Sequence, residues 1–284
     1  MAMDEALADE RPALVVIGNF DGVHRGHQAV MEAVHALAVE RDVVARVLTF
    51  EPHPAAALGR TPPPKLTSLP RKIELLKRAC PGVEVVVRPF TAAFAQLSPE
   101  QFAQQVLATQ WHARLVMVGC NFRFGYKRAG SVADLSRLGK RYDFETVAEP
   151  LVSDDNGAWS STRIRALVAA GDMVAARHML GRPHMLEGKV VHGAQRGRAL
   201  GFPTCNIAAI EQALPPFGVY AVLVDRCGAG GAQVLARGVA NFGVRPSLDE
   251  RSQAPLLEVH LFDTDANLYG AKLRVHLVAR LRPE

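Results

Sequence analysis

A chain of 284 residues, 49% of them apolar, has material for two packed cores, and two ordinary domains suit that length better than one large one. The formal net charge of +5 is spread out, with no block of five or six basic residues, so it suits an enzyme of polyanionic phosphates better than a nucleic-acid surface. Cys80, Cys120, Cys205 and Cys227 form no Cys-x-x-Cys pair and have no histidines at zinc spacing, which reads as free thiols in a reducing cytoplasm. The acidic residues 1–10 lack the apolar core of a signal peptide, and the absence of a run of about 18 apolar residues argues against a membrane span.

Residues 14–17 read as an apolar strand, and Val30, Met31, Val34, Leu37 and Ala38 mark one face of the helix that follows. Between them lies Gly18-Asn19-Phe20-Asp21-Gly22-Val23-His24-Arg25-Gly26-His27, a strand-to-helix turn where free backbone N–H groups and the helix dipole favour phosphate. His24 and His27 are one turn apart and project from the same side of the helix start. Two imidazoles there can donate hydrogen bonds to a triphosphate and to charge that develops in phosphoryl transfer. A lone histidine would read as a helix cap or a crevice filler, but a pair at this spacing in a glycine-rich turn reads as functional. The motif is neither Gly-x-Gly-x-x-Gly nor a P-loop.

Residues 43–50 form the next predicted strand, ended by Glu51-Pro52-His53-Pro54, where two prolines forbid a helix and leave a rigid loop. Residues 61–64 read as a surface loop, 71–80 as an amphipathic helix and 83–87 as a buried strand. Ser98-Pro99-Glu100-Gln101 is a capped start to a helix running to about Trp111. Residues 115–119 form a strand followed by the aromatic and basic loop 121–128, and 144–149 a fifth strand. Alternating strands and helices predict an α/β doubly wound parallel sheet, whose ligands bind at the carboxyl edge. Ser160-Ser161-Thr162-Arg163-Ile164-Arg165 opens another helix, whose hydroxyls and arginines can cap it or meet phosphate. Gly171-Asp172 then separates it from a helix over 173–180; two short helices joined by a glycine are commonplace and do not by themselves indicate DNA reading.

From residue 184 the pattern changes to six short strands, at 186–192, 204–208, 218–225, 234–241, 256–262 and 272–281, which predict a small all-β antiparallel barrel. The loop carrying Gly193, Arg196, Gly197 and Arg198 suits an anion. Thr204 and Asn206 share one side of a strand and can offer hard oxygens to Mg²⁺. A glycine-rich hairpin followed by ordinary polar strand residues fits that stretch equally well, and an isolated Glu258 opposite Leu257, Val259 and Leu261 reads as the wet face of a strand.

Gly-Asn-Phe-Asp-Gly-Val-His-Arg-Gly-His-Gln resembles the nucleotidyltransferase motif of the prokaryotic bifunctional riboflavin kinase and FMN adenylyltransferase family. Phe50-Glu51-Pro52-His53-Pro54, residues 118–125 and Ser160 to Arg165 resemble its other N-terminal motifs. Pro203-Thr204-Cys205-Asn206 resembles the kinase Pro-Thr-Ala-Asn motif with Cys205 where alanine is usual, and residues 241–247, 256–263 and 268–270 resemble later signatures. The resemblance implies a Rossmann-like adenylyltransferase domain over 1–183 and a riboflavin kinase barrel over 184–284. It implies that Gly18, Asn19, Phe20, Asp21, His24, His27, Asn121, Ser161, Thr162 and Arg165 hold ATP, and that Pro52, Pro54 and Phe124 flank the flavin. In the kinase half, the basic loop with Thr204 and Asn206 would bind Mg-ATP, and Glu258 would take the proton from the 5′-hydroxyl of riboflavin. Small-molecule substrates, no nucleic acid, no membrane, and a monomer or weak homo-oligomer follow as expectations.

Family members usually continue past Leu281-Arg282-Pro283-Glu284 into a C-terminal helix on the kinase barrel. The alternatives are an adenylyltransferase whose shortened kinase domain is impaired, and a flavin-responsive regulator that binds nucleic acid, for which sequence support is thin.

Overall fold

The computed structural model describes residues 10–150, 152–155, 157–191, 204–228, 231–244, 255–264 and 267–283. The chain divides into two compact units, one built from the described residues up to Pro63 and from Leu69–Trp159, the other from Pro64–Ser68 and the described residues from Ser160 onward.

In the first unit β1 (Ala13–Ile17), β2 (Val44–Phe50), β3 (Glu84–Arg88), β4 (Ala113–Gly119) and β5 (Glu145–Glu149) form a sheet in the order β3-β2-β1-β4-β5. Every pairing is parallel. β1 lies at the centre with all five residues buried, as expected for a strand covered on both faces. Leu14 and Val16 face a core that includes Met31, Val34 and Ala38 of α1 (Arg25–Glu40) and Leu75 and Leu76 of α3 (Leu69–Ala79). Ala13, Val15 and Ile17 face the opposite core, with Val106, Leu107, Trp111, Leu135 and Leu138. This is the predicted doubly wound arrangement, and the apolar face read for α1 is the one it buries. Near the amino end of β2, Arg46 is fully buried and donates to Glu84 Oε2 at 2.8 Å and to the Arg11 and Trp111 carbonyls.

Several local expectations are corrected. The prolines of the 51–54 loop do not forbid a helix: a one-turn α2 (Pro54–Ala57) starts at Pro54, where a missing N–H is harmless. β3 is a half-buried edge strand, since only β2 pairs with it. Ser98 and Gln101 make the predicted capping box, but after α4 (Ala92–Ala95) and α5 (Pro99–Gln101) the helix continues from Phe102 to Gln110 with wide π-type turns. α6 (Val132–Tyr142) was not anticipated, although Ser131 and Asp134 cap it reciprocally.

After a short hairpin of β6 (Ser153–Asp154) and β7 (Gly157–Ala158), the second unit contains α7 (Ser161–Ala170), α8 (Met173–Leu180) and six strands: β8 (His184–Val191), β9 (Thr204–Ala208), β10 (Gly218–Gly228), β11 (Gly231–Val244), β12 (Pro255–Leu261) and β13 (Lys272–Pro283). They close as β10-β11-β12-β9-β8-β13, all antiparallel. Closure removes the sheet edges that a flat sheet would expose. Leu257, Val259 and Leu261 are buried and Glu258 and His260 are not, the period-two alternation read from the sequence. α7 and α8, which precede the predicted boundary at 183/184, belong with the barrel. So does the short segment at 64–68: Ala213 N donates to the Lys65 carbonyl at 2.6 Å, Arg165 Nε donates to the Pro64 carbonyl at 2.7 Å, and Leu66 is buried.

Gly188 lies where β8 approaches β9 so closely that a Cβ would meet Ile207 Cγ2 and come within 2.5 Å of the Ala208 carbonyl oxygen. Gly188→Ala is expected to destabilise the barrel by about 1–3 kcal/mol, seen as a lower urea midpoint. An unchanged midpoint would show that the two strands separate without cost.

Candidate active site

In the order β3-β2-β1-β4-β5 the chain leaves β1 in one direction for β2 and reaches β4 on the other side, the switch point beside whose carboxyl ends doubly wound sheets bind their ligands. The Gly18 turn, the 51–54 loop and Asn121 follow β1, β2 and β4 at that edge. The turn is tightly held. Phe20, Gly22 and Val23 have φ of 50°, 81° and 37°, a costly conformation for a β-branched valine. Burial of Phe20 and Val23, together with the 2.7 Å bond from Gln28 Nε2 to the Val23 carbonyl, holds it in place.

His24 is the N-cap of α1, and its Nδ1 faces the His27 amide at 3.4 Å. An imidazole that accepts at Nδ1 carries its neutral-form proton on Nε2. The His27 ring stacks on it at 3.7 Å between centroids and 22° between planes, while Phe20 contacts His27 edge-on at 5.2 Å. His27 Nδ1 is buried without a hydrogen-bond partner. Leaving an acceptor rather than an N–H donor at that spot is the cheaper tautomer, so His27 also offers its N–H at Nε2. Burial holds the His27 imidazole well below its ordinary value of 6.5, and the nearby His24 and Lys72 push in the same direction. A Cβ at Gly26 would come within 3.1 Å of His24 Cε1 and Nδ1, so glycine leaves room for that ring.

Lys72 was missed. On α3 it is buried beside Leu75 and Leu76, with half-buried Ala79 on the same stripe, and a charge in an apolar stripe was the available signal. Its Nζ donates to the Asn19 carbonyl at 3.2 Å and to Thr49 Oγ1 at 3.1 Å. The Asn19 amide lies 3.4 Å from His53 Nε2, while His53 Nδ1 caps α2. Asp21 lies in the same turn, partly buried.

The other predicted residues divide. Pro52 and Asn121 are exposed and Pro54 is half-buried. Phe124 is only 6% exposed, packed against Phe102 and stacked with Phe122 at 5.8 Å and 12°; Phe122 is the more accessible of the two rings. In the second unit Ser160 caps α7, Ser161 and Thr162 begin it, and Arg165 bonds to Pro64.

In the barrel Asn206 of β9 is paired with Glu258 of β12, and Glu258 with Asn241 of β11, so three polar residues lie in one row across three strands; Thr204 pairs with His260. Asn206 is 5% exposed. Gly193, Arg196, Gly197 and Arg198 lie outside the described residues.

A helix start that carries two stacked imidazoles at a parallel-sheet switch point, in one chain with a closed barrel bearing a Thr-x-Asn strand beside a glutamate, is the equipment of a two-module nucleotide-using transferase. Comparison with known proteins narrows this: the FAD synthetase family model matches residues 6–163 and the riboflavin kinase model residues 180–284. The bifunctional riboflavin kinase/FMN adenylyltransferase of Haemophilus influenzae is 39% identical over 271 residues, 95% of this chain and 86% of that protein. Those of Escherichia coli K12 and Bacillus subtilis are each 34% identical, over 98% and 97% of this chain and 87% and 86% of theirs. A solved structure described as a macrolide-efflux protein from Streptococcus pneumoniae has the same fold, with a TM-score of 0.83 at 29% identity, covering 96% of this chain and 87% of that one. The chain belongs to the bifunctional riboflavin kinase/FMN adenylyltransferase family. Its barrel module phosphorylates riboflavin to FMN with ATP, and its parallel-sheet module adenylylates FMN to FAD.

Because the folded chain keeps His27 neutral below 6.5 while the unfolded chain takes the proton near that value, acidification favours unfolding. The contribution of His27 is whole above 6.5 and is lost as pH falls towards the folded midpoint. Thermal unfolding followed by circular dichroism should show the first unit melting at lower temperature as pH drops below 6.5, with a shallower slope in His27→Gln. An identical slope in the variant would assign the dependence to other groups.

Proposed function

We propose that FAD formation is carried out by the turn between β1 and α1, with His24 and His27 as its catalytic residues, and that riboflavin phosphorylation is carried out on the barrel row containing Glu258. The stacked imidazole pair carries the first assignment: His24 caps the helix start and the His27 ring stacks on it, at a place where the dipole also favours anions. An FMN phosphate oxygen attacks the α-phosphorus of ATP and pyrophosphate leaves. The two Nε2–H groups steady oxygens whose charge grows during that exchange, and no protein nucleophile is required. Gly18, Asn19, Phe20 and Asp21 shape the phosphate cradle. Asn121, Ser161, Thr162 and Arg165 are assigned to ATP by motif alone, as are Pro52, Pro54 and Phe124 to the flavin.

In the barrel, Glu258 is the base that accepts the 5′-hydroxyl proton of riboflavin as the hydroxyl oxygen attacks the γ-phosphorus of ATP, the bond to the β-phosphate oxygen breaks and ADP leaves. Thr204 and Asn206 fit Mg²⁺, being hard oxygen donors on one side of β9, and among the described residues no cluster of three His, Cys, Asp or Glu competes for a metal. When bound, the ion would supply charge neutralisation for the triphosphate. The functional division at 183/184, a cytoplasmic setting, and a monomer or weak homo-oligomer complete the reading. Among the described residues no helix is long and apolar enough to cross a membrane.

The purified chain supplied with riboflavin and Mg-ATP should yield FMN and FAD. Replacing His24 and His27 together by alanine should abolish FAD formation from supplied FMN while phosphorylation of riboflavin stays within about twofold of wild type. Glu258→Gln should cut phosphorylation by about 10²–10⁴-fold and spare adenylylation. Parallel loss of both activities in either variant would refute the assignment to separate sites.

A further inference from the structure

We propose that Lys72 is a positioning residue for adenylyl transfer: its buried ammonium ties the carbonyl of Asn19, and with it the turn that presents His24 and His27, to Thr49 on β2. The inference rests on the assignment of FAD formation to that turn.

Lysine is among the residues least often buried, because its ammonium loses hydration that few interiors restore. Lys72 is nonetheless only 6% exposed. Its bonds to the Asn19 carbonyl and Thr49 Oγ1 form a closed triangle, because Thr49 Oγ1 itself donates to the same carbonyl at 3.2 Å. Thr49 is fully buried in β2, and Lys72 comes from α3, whose Leu75 and Leu76 pack against α1 residues in the same core. Two elements of the scaffold, α3 and β2, therefore converge on the carbonyl of the Asn19–Phe20 peptide. A misplacement of about 1 Å at a reacting centre can cost about 10²-fold in rate, so a clamp one residue before Phe20 acts on transfer without touching substrate.

The cation has a second effect. The titratable and charged groups acting on His27 are His24, on its own helix, and Lys72, across the core, and both disfavour a second positive charge. Burial is the larger cause that keeps His27 neutral, and the fixed positive charge of Lys72 adds to it in the same direction.

The test uses the full chain, with riboflavin phosphorylation as the control, and follows the His27 ring signal by NMR titration beside FAD formation from FMN. Lys72→Met is expected to lower kcat for FAD formation by about 10–100-fold, with KM for ATP changed less than about threefold. The His27 midpoint should move up towards 6.5 in Lys72→Met and stay low in Lys72→Arg. Thr49→Val keeps the charge and removes one acceptor, so it should lower kcat and leave the His27 midpoint in place; it decides the matter if Lys72→Met does not fold. Wild-type kcat in folded Lys72→Met or in Thr49→Val, or a His27 midpoint indifferent to loss of the charge, would overturn the proposal. Undiminished FAD formation with His24 and His27 both replaced by alanine would instead overturn the site assignment, and the titration of the otherwise unchanged chain would still report whether Lys72 and His27 are coupled.

Discussion

The first turn of a helix has amide donors with no partner inside the helix, and α1 meets one of them with an imidazole where serine or aspartate is usual. That choice governs the rest of the first module. A ring accepting from the His27 amide fixes its own rotamer and tautomer, gives the His27 ring a surface to stack on, and would be crowded by a side chain at position 26. The cap would hang on a loose loop if the preceding turn moved, and the turn is held on three sides: by Phe20 and Val23 in the core, by Gln28 from the helix, and by Lys72 and Thr49 from beneath. The parallel sheet then places this assembly at its switch point.

The barrel solves a different problem by a different alternation. Its strands need every second side chain for the interior, which leaves the intervening positions to chemistry. Asn206, Glu258 and Asn241 come into line because register pairs them across neighbouring strands, though Asn206 and Glu258 are 52 positions apart in the chain. FMN is the product of one module and the substrate of the other.

Much of this was legible in the order of residues. The apolar stripe of α1, the Ser98 capping box, the switch from helix-interspersed strands to hairpins near residue 184, and the two-residue alternation around Glu258 are local patterns, and local patterns survive folding. What escaped reading depended on partners distant in sequence. Lys72 is a charge within the apolar stripe of an amphipathic helix, and its use depends on Asn19 and Thr49, 53 and 23 positions away, which accept its hydrogen bonds. Phe124 read as part of an exposed aromatic loop, yet the pairing of residue 124 with Gly130 turns its ring into the core beside Phe102. The wide turns after Phe102 have no local signature, and α2 shows that a proline ends one element and can begin the next.

The short passage at 64–68 carries one more implication. Those residues belong with the barrel, although the chain before and after them builds the parallel sheet. Lys65 hydrogen-bonds with the stretch around Ala213, and Leu66 is buried. No single cut in the polypeptide can therefore release both modules whole: a fragment starting at Ser160 or at His184 would leave behind a piece of its own fold, and expressing the kinase alone would call for grafting that short strap back or for redesigning the surface it covers.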